Sequence, residues 1–157
     1  MTSAQRIRDE LSALFPPAAA FVKAYRSVAP GTLLFSISVI NGRELFQIAG
    51  GDFARGVGIT QVMPSPFDGV SRIARDYADA LRAYAPGEEP SYTSFEEYVG
   101  ARVLIEAIRR VKGPPTPLAV AQSLESLDLD VGGFKVKFGP GNRVGSRHVD
   151  VTLIGRD

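Results

Sequence analysis

With 157 residues, 45% hydrophobic and 22% charged, the chain has the composition of an ordinary globular domain, and at this length a domain buries roughly 68–70% of its unfolded surface. A balance of 18 basic against 17 acidic side chains leaves a net charge of +1, which argues against a nucleic-acid-binding protein. The absence of cysteine excludes disulfides and thiolate chemistry, and a single histidine leaves a zinc site short of ligands.

Arg6, Arg8, Asp9 and Glu10 interrupt the apolar run a secretion signal needs. No later window approaches the ~18 apolar residues of a membrane span. No export signal and no membrane insertion are therefore expected. Behind Ser3 as N-cap, Ile7, Leu11, Leu14 and Phe15 recur at helical spacing, and Pro16-Pro17 stop this first helix. A second begins near Pro17, with Phe21, Val22, Tyr25 and Val28 on one stripe, before Ala29-Pro30-Gly31 turns the chain. Residues 33–40 form a nearly continuous apolar run with Ser36 and Ser38 embedded, which predicts a buried strand. Asn41, with Glu44 three residues on, makes a capping-box start for a short helix through Leu45, Phe46, Ile48 and Ala49, closed by Gly50-Gly51.

Gly56-Val57-Gly58-Ile59-Thr60-Gln61-Val62-Met63 is largely apolar on both faces and predicts a central strand. Pro64 and Pro66 then end it in a stiff, extended exit, read as a crossing between two layers or lobes. Helix, strand, helix, strand over residues 17–63 predicts a right-handed parallel crossover. Beyond it, Val70, Ile73, Ala74, Tyr77, Leu81 and Tyr84 mark an amphipathic helix ended by Ala85-Pro86-Gly87. Ser94, with Glu97 closing the box, predicts the cap of a helix over 95–111 that is apolar around more than half its girth and ends in a cationic turn of Arg109, Arg110 and Lys112. Thr116-Pro117 opens another, with Leu118, Ala121, Leu124 and Leu127 inward.

In the tail Phe134, Val136 and Phe138 alternate with Lys135 and Lys137, and Val149, Val151 and Leu153 alternate with His148, Asp150 and Thr152. With Gly139-Pro140-Gly141-Asn142 between them, they predict a hairpin-like pair at a sheet edge. The expected fold is α/β: a short parallel βαβ core with flanking helices and an antiparallel C-terminal strand pair.

Few residues offer chemistry. Gly139-Pro140-Gly141 leads into a strand, whereas a dinucleotide loop opens a helix. Ser146, His148 and Asp150 share one strand face with successive Cβ atoms roughly 6–7 Å apart, which denies a triad its hydrogen bonds. Glu88-Glu89 and Glu96-Glu97 are surface or cap positions. No catalytic residue, metal ligand or cofactor is expected, and the chain reads as non-enzymatic. Ser36, Ser38 and Asn41 stand apart, because they lie at and just beyond the carboxyl end of a parallel strand, where open α/β sheets bind ligands. The competing reading has the serines satisfied by neighbouring backbone and Asn41 serving as a helix cap.

Five stretches, taken in order, resemble the later part of the periplasmic substrate-binding proteins of ABC transporters, of the leucine/isoleucine/valine-binding type. They are Pro17-Ala18-Ala19-Ala20-Phe21-Val22, residues 33–40, Gly56 to Pro66, Ser94-Phe95-Glu96-Glu97-Tyr98-Val99-Gly100-Ala101-Arg102, and Gly133-Phe134-Lys135-Val136-Lys137-Phe138-Gly139-Pro140-Gly141. The likeness spans roughly residues 16–155. It implies a partial type 1 periplasmic-binding-protein fold, in which two α/β lobes are joined by three crossings and clamp a ligand by hinge closure. Within a single compact unit over 1–157, residues 17–62 and 131–157 would match the second lobe and hinge, and 65–128 the helical part of the first lobe. Ser36 and Ser38 would match the strand end lining the cleft. Arg55 falls where many amino-acid-binding members carry a carboxylate, a change that suits a carboxylate or anionic ligand.

The resemblance further implies a small-molecule solute, amino acid or carboxylate, a periplasmic location, and an ABC permease as partner of the full-length form. The first half of the family pattern is missing, so the chain reads as about half a binding protein. Its uncovered apolar surfaces predict a homo-oligomer, whether it still binds solute or serves as an interaction module.

Overall fold

Residues 15–155 are described by the computed structural model, and they divide at Gln61 and again at His148 into two units. The first holds residues 15–61 and 149–155; the second is Val62–His148. The expected single unit, with 131–157 grouped beside 17–62, differs from this division. Residues 131–148 join the helices instead, because Val131, Phe134 and Val136 are buried in the same core as Ile73, Phe95 and Leu127.

In the first unit, α1 (Phe15–Val28) opens with Pro16 and Pro17 in its first turn, where a missing N–H costs nothing. The helix expected behind Ser3 lies outside the described residues. Ala19 and Val22 are the buried face of α1, while Phe21 and Val28 of the expected stripe are exposed and Phe21 stacks on Tyr25 at 5.7 Å. After β1 (Phe35–Ser36), Asn41 starts α2 (Gly42–Ala49) as its sequence indicated: its Oδ1 accepts from the N–H groups of Arg43 at 3.0 Å and Glu44 at 3.4 Å. A one-turn helix, α3 (Gly51–Ala54), leads to β2 (Gly58–Gln61).

β1 and β2 pair in parallel, Phe35 opposite Gly58 and Ser36 opposite Ile59. The last strand, β5 (Asp150–Leu153), runs antiparallel on the other side of β2, which is thus central as expected. The helices cover one face of this sheet, with Ala19, Val22, Leu45, Ala49, Ala54 and Val57 as the core. Residues 33–40 are therefore not a strand buried on both faces. Two residues pair, a turn closes from Ile40 N–H to the Ile37 carbonyl at 3.1 Å, and Leu33, Phe35, Ile37 and Val39 are exposed, the helices of this unit among the described residues lying on the other side.

The second unit carries α4 (Arg72–Tyr84), α5 (Tyr92–Arg110), α6 (Pro117–Glu125), β3 (Asp128–Asp130) and β4 (Lys135–Lys137). Three helices follow the proline exit, as read, although individual positions differ. Ser91, not Ser94, caps α5, accepting from Ser94 N–H at 3.1 Å. The Ser94 hydroxyl instead lies 2.7 Å from Tyr77 Oη, sealing α4 against α5. Thr116 caps α6 as anticipated, yet Leu118 and Ala121 are exposed, and Leu127, just past the helix, is the fully buried residue.

The tail is corrected most. β4 pairs with β3, Lys137 opposite Asp128 and Lys135 opposite Asp130, and not with β5, which joins β2. Gly132, at φ +69, makes the β3–β4 turn, and its carbonyl accepts from Ile73 N–H at 3.0 Å. Gly139 and Asn142 close their own small loop with bonds of 3.1 and 2.9 Å. Among the described residues, no helix is long and apolar enough to cross a membrane.

Candidate functional site

Parallel pairing gives β1 and β2 a common carboxyl end, and the chain leaves β1 there through Ser36, Ser38 and Asn41. This is the place where a twisted α/β sheet opens a crevice to ligands. All three residues are half-buried. Asn41 spends its side-chain oxygen on α2, leaving its amide hydrogens for other partners. Ser36 contributes its carbonyl to the sheet, accepting from Thr60 Oγ1 at 3.5 Å. Among the described residues, neither the Ser36 nor the Ser38 hydroxyl has a hydrogen-bond partner.

Ser36 lines a cavity of about 90 Å³ whose other walls, among them Phe21, Val22, Leu34, Phe35 and Ile40, are apolar residues. A wider depression of about 310 Å³ between α5 and α6 includes Arg110, but that guanidinium is engaged by Glu106 at 2.8 Å. Its position on an open surface makes it the weaker candidate despite its size.

Arg55 is not brought to the serines. It is exposed and caps α3 before the amino end of β2, the end of the sheet opposite to Ser36. Its carbonyl accepts from Arg26 Nη2 at 3.2 Å, and Arg26 Nη1 also donates to the Pro30 carbonyl at 3.0 Å. Arg26 thereby ties the end of α1 to the entry of β2, a role that a basic residue in a last helical turn signals in sequence. Gln61 is a second residue not singled out from sequence. It is 5% exposed and donates from Nε2 to Thr152 Oγ1 at 3.2 Å, which donates in turn to the Ile59 carbonyl at 3.2 Å. A polar side chain inside an apolar strand was its signal, and its bonds make it a cross-strand tie.

Ser146 and His148 do not share a strand face with Asp150, since both precede β5. The Ser146 hydroxyl accepts from the His148 backbone N–H at 3.1 Å, and the imidazole meets the Phe134 ring edge-on at 6.0 Å.

A family model described as periplasmic binding protein matches residues 11–155. The chain belongs to the periplasmic binding protein family. Its fold is a partial type 1 periplasmic-binding fold, as three solved structures show. A possible leucine/isoleucine/valine-binding protein from Rhodopirellula baltica SH 1 superposes with a TM-score of 0.82 at 29% identity, over 91% of this chain and 39% of that one. A substrate-binding periplasmic protein from Ralstonia solanacearum gives 0.77 at 36% identity, over 89% and 40%. An extracellular ligand-binding receptor from Verminephrobacter eiseniae ef01-2 gives 0.77 at 31%, over 88% and 40%. The chain thus spans about two fifths of the length of these family members. No curated protein matches the sequence.

Proposed function

We propose that the chain supplies one wall of a solute-binding site, of the kind that serves an ABC transporter in the periplasm, with Ser36 and Ser38 as hydrogen-bonding groups toward an amino acid or small carboxylate. The observation carrying this reading is the pair of half-buried hydroxyls, without a hydrogen-bond partner among the described residues, at the carboxyl end of a parallel strand. The apolar cavity beside Ser36 suits an aliphatic portion of the ligand, and the likeness to a possible leucine/isoleucine/valine-binding protein supports the same class. Asn41 joins through its amide hydrogens. Arg55 enters on the family resemblance alone, as a carboxylate partner, and it sits at the other end of the sheet, so Arg55→Ala is expected to leave binding that depends on Ser36 and Ser38 unchanged. A permease is the partner this reading assigns to the complete binding protein.

One wall makes only part of a ligand's contacts, so the chain alone binds weakly. Calorimetry over amino acids and small carboxylates is expected to give affinities weaker than micromolar, that is, less than about 8 kcal/mol. Ser36→Ala and Ser38→Ala each weaken any detected binding by about five-fold, the value of one net hydrogen bond. Micromolar binding by a proven monomer, or affinity indifferent to both substitutions, would refute the reading. A second reading, an interaction module that associates through its own surface, is favoured by the large apolar side chains the first unit leaves in water.

A further inference from the structure

The register of the three-stranded sheet sorts its side chains onto two faces. Phe35, Gly58 and Leu153 are paired across the sheet and share one face, which Thr60 and Val151 extend two residues along. Ser36, Ile59 and Thr152 point the other way, and Ile59, 2% exposed, lies on the side the helices cover. Among the described residues, the first face has no such cover. Phe35 is 62% exposed, Val151 58% and Leu153 65%, and the flanking Leu33, Ile37 and Val149 are likewise exposed. Phe35 lies flat over Gly58, where a Cβ would stand 2.4 Å from its ring.

We infer that this face is an interface between two copies of the chain. Two observations argue for a second copy as the occupant. The six exposed apolar residues present roughly 700 Å², above the usual largest patch of a monomer and close to the ~800 Å² that each partner contributes to a standard interface. No position of the face, from Leu33, Phe35 and Ile37 through Gly58 and Thr60 to Val149, Val151 and Leu153, is charged, so a copy meets itself without like-charge repulsion. Such an uncharged, nearly wholly apolar face can serve as both halves of an isologous two-fold interface. Two such sheets stack about 10 Å apart, with β2 against β2 whichever way a centred two-fold turns the strands. The inference rests on the second reading above, association through the chain's own surface, and names that surface.

Sedimentation of the full 157-residue chain across micromolar concentrations is expected to report a dimer. Val151→Lys, at a position already exposed in one copy, is expected to weaken the dimer at least ten-fold while leaving the far-ultraviolet circular dichroism unchanged. Because the chain contains no cysteine, Thr60→Cys introduces a unique thiol at the centre of the face. A short bis-maleimide should join two Thr60→Cys chains efficiently and two Glu97→Cys chains, altered on the exposed side of α5, poorly. This second arm holds even if Val151→Lys fails to fold. A monomer at every concentration, with the Thr60→Cys thiol shielded by another part of the same chain, overturns the inference together with the association reading. A dimer that survives Val151→Lys and cross-links no better through residue 60 than through residue 97 overturns this face while leaving association intact.

Discussion

Gly132→Ala tests whether the β3–β4 hairpin is held as tightly against α4 as its geometry indicates. Two costs fall on this residue. Its φ of +69 lies in the left-handed region, where an L side chain costs about 1–2 kcal/mol. A Cβ there would also stand 2.9 Å from Ile73 N and 3.3 Å from Ile73 Cα. Those atoms have little room to retreat. Ile73 is fully buried, and its N–H is already bonded to the Gly132 carbonyl. The steric part is expected to add about 1–3 kcal/mol, as overpacking does in other cores. Gly141 supplies the control, since its φ is +75 but nothing lies within 4 Å of its would-be Cβ, so Gly141→Ala carries only the backbone cost. Urea unfolding followed by circular dichroism should place the Gly132→Ala midpoint clearly below that of Gly141→Ala, by roughly 1 M for a difference of about 2 kcal/mol. If the two variants agree within about 0.5 kcal/mol, the hairpin does not press on Ile73 and the packing argument is wrong.

Two further predictions concern local interactions. Ser91→Ala removes the cap of α5 and should cost about 1 kcal/mol, whereas Glu97→Gln, which alters the residue expected to close a box from Ser94, should leave the unfolding midpoint unchanged; equal losses would contradict the observed cap. Lys137 donates to Asp128 at 2.6 Å, and this bond with the accompanying charge attraction lowers the Asp128 pKa below 3.8 and raises that of Lys137 above 10.5. The Asp128 contribution to stability is complete above the ordinary carboxylate value and is lost as pH falls through the lowered one. That of Lys137 is complete below its ordinary value and lost as pH rises through the raised one. Melting temperatures of wild type and Asp128→Asn should therefore differ at neutral pH and draw together as pH falls below 3.8, and an offset constant across that range would show that the pair adds nothing.

What could be read directly from sequence was local. Asn41, Thr116-Pro117 and Gly50 act through bonds and dihedrals that span four residues or fewer, so their caps and stops are where the pattern put them. The parallel unit was also legible, because two strands joined by a helix of this length have few ways to pair. The cap of α5 was missed by three residues because Ser91 and Ser94 both precede the same apolar stripe, and only the Tyr77 hydroxyl, from another helix, decides between them. The candidate site was half legible for the same reason. Ser36 and Ser38 follow from strand direction, but the placement of Arg55 at the opposite end of the sheet depends on how α3 delivers the chain to β2.

The partners of the tail strands, and which faces are buried, belong to tertiary structure alone. Alternation along residues 134–138 and 149–153 specifies which side chains share a face; it carries no record of which strand lies alongside. Asp128–Asp130, three residues with two carboxylates, gave no strand signal, yet it captures β4 and leaves β5 to complete the sheet around β2. Likewise, the apolar run at 33–40 looks the same whether one face or both are covered. Whether Phe35 and Ile37 meet a helix, another copy or water depends on a second layer, and hydrophobicity in a single chain states a need for cover without naming what supplies it.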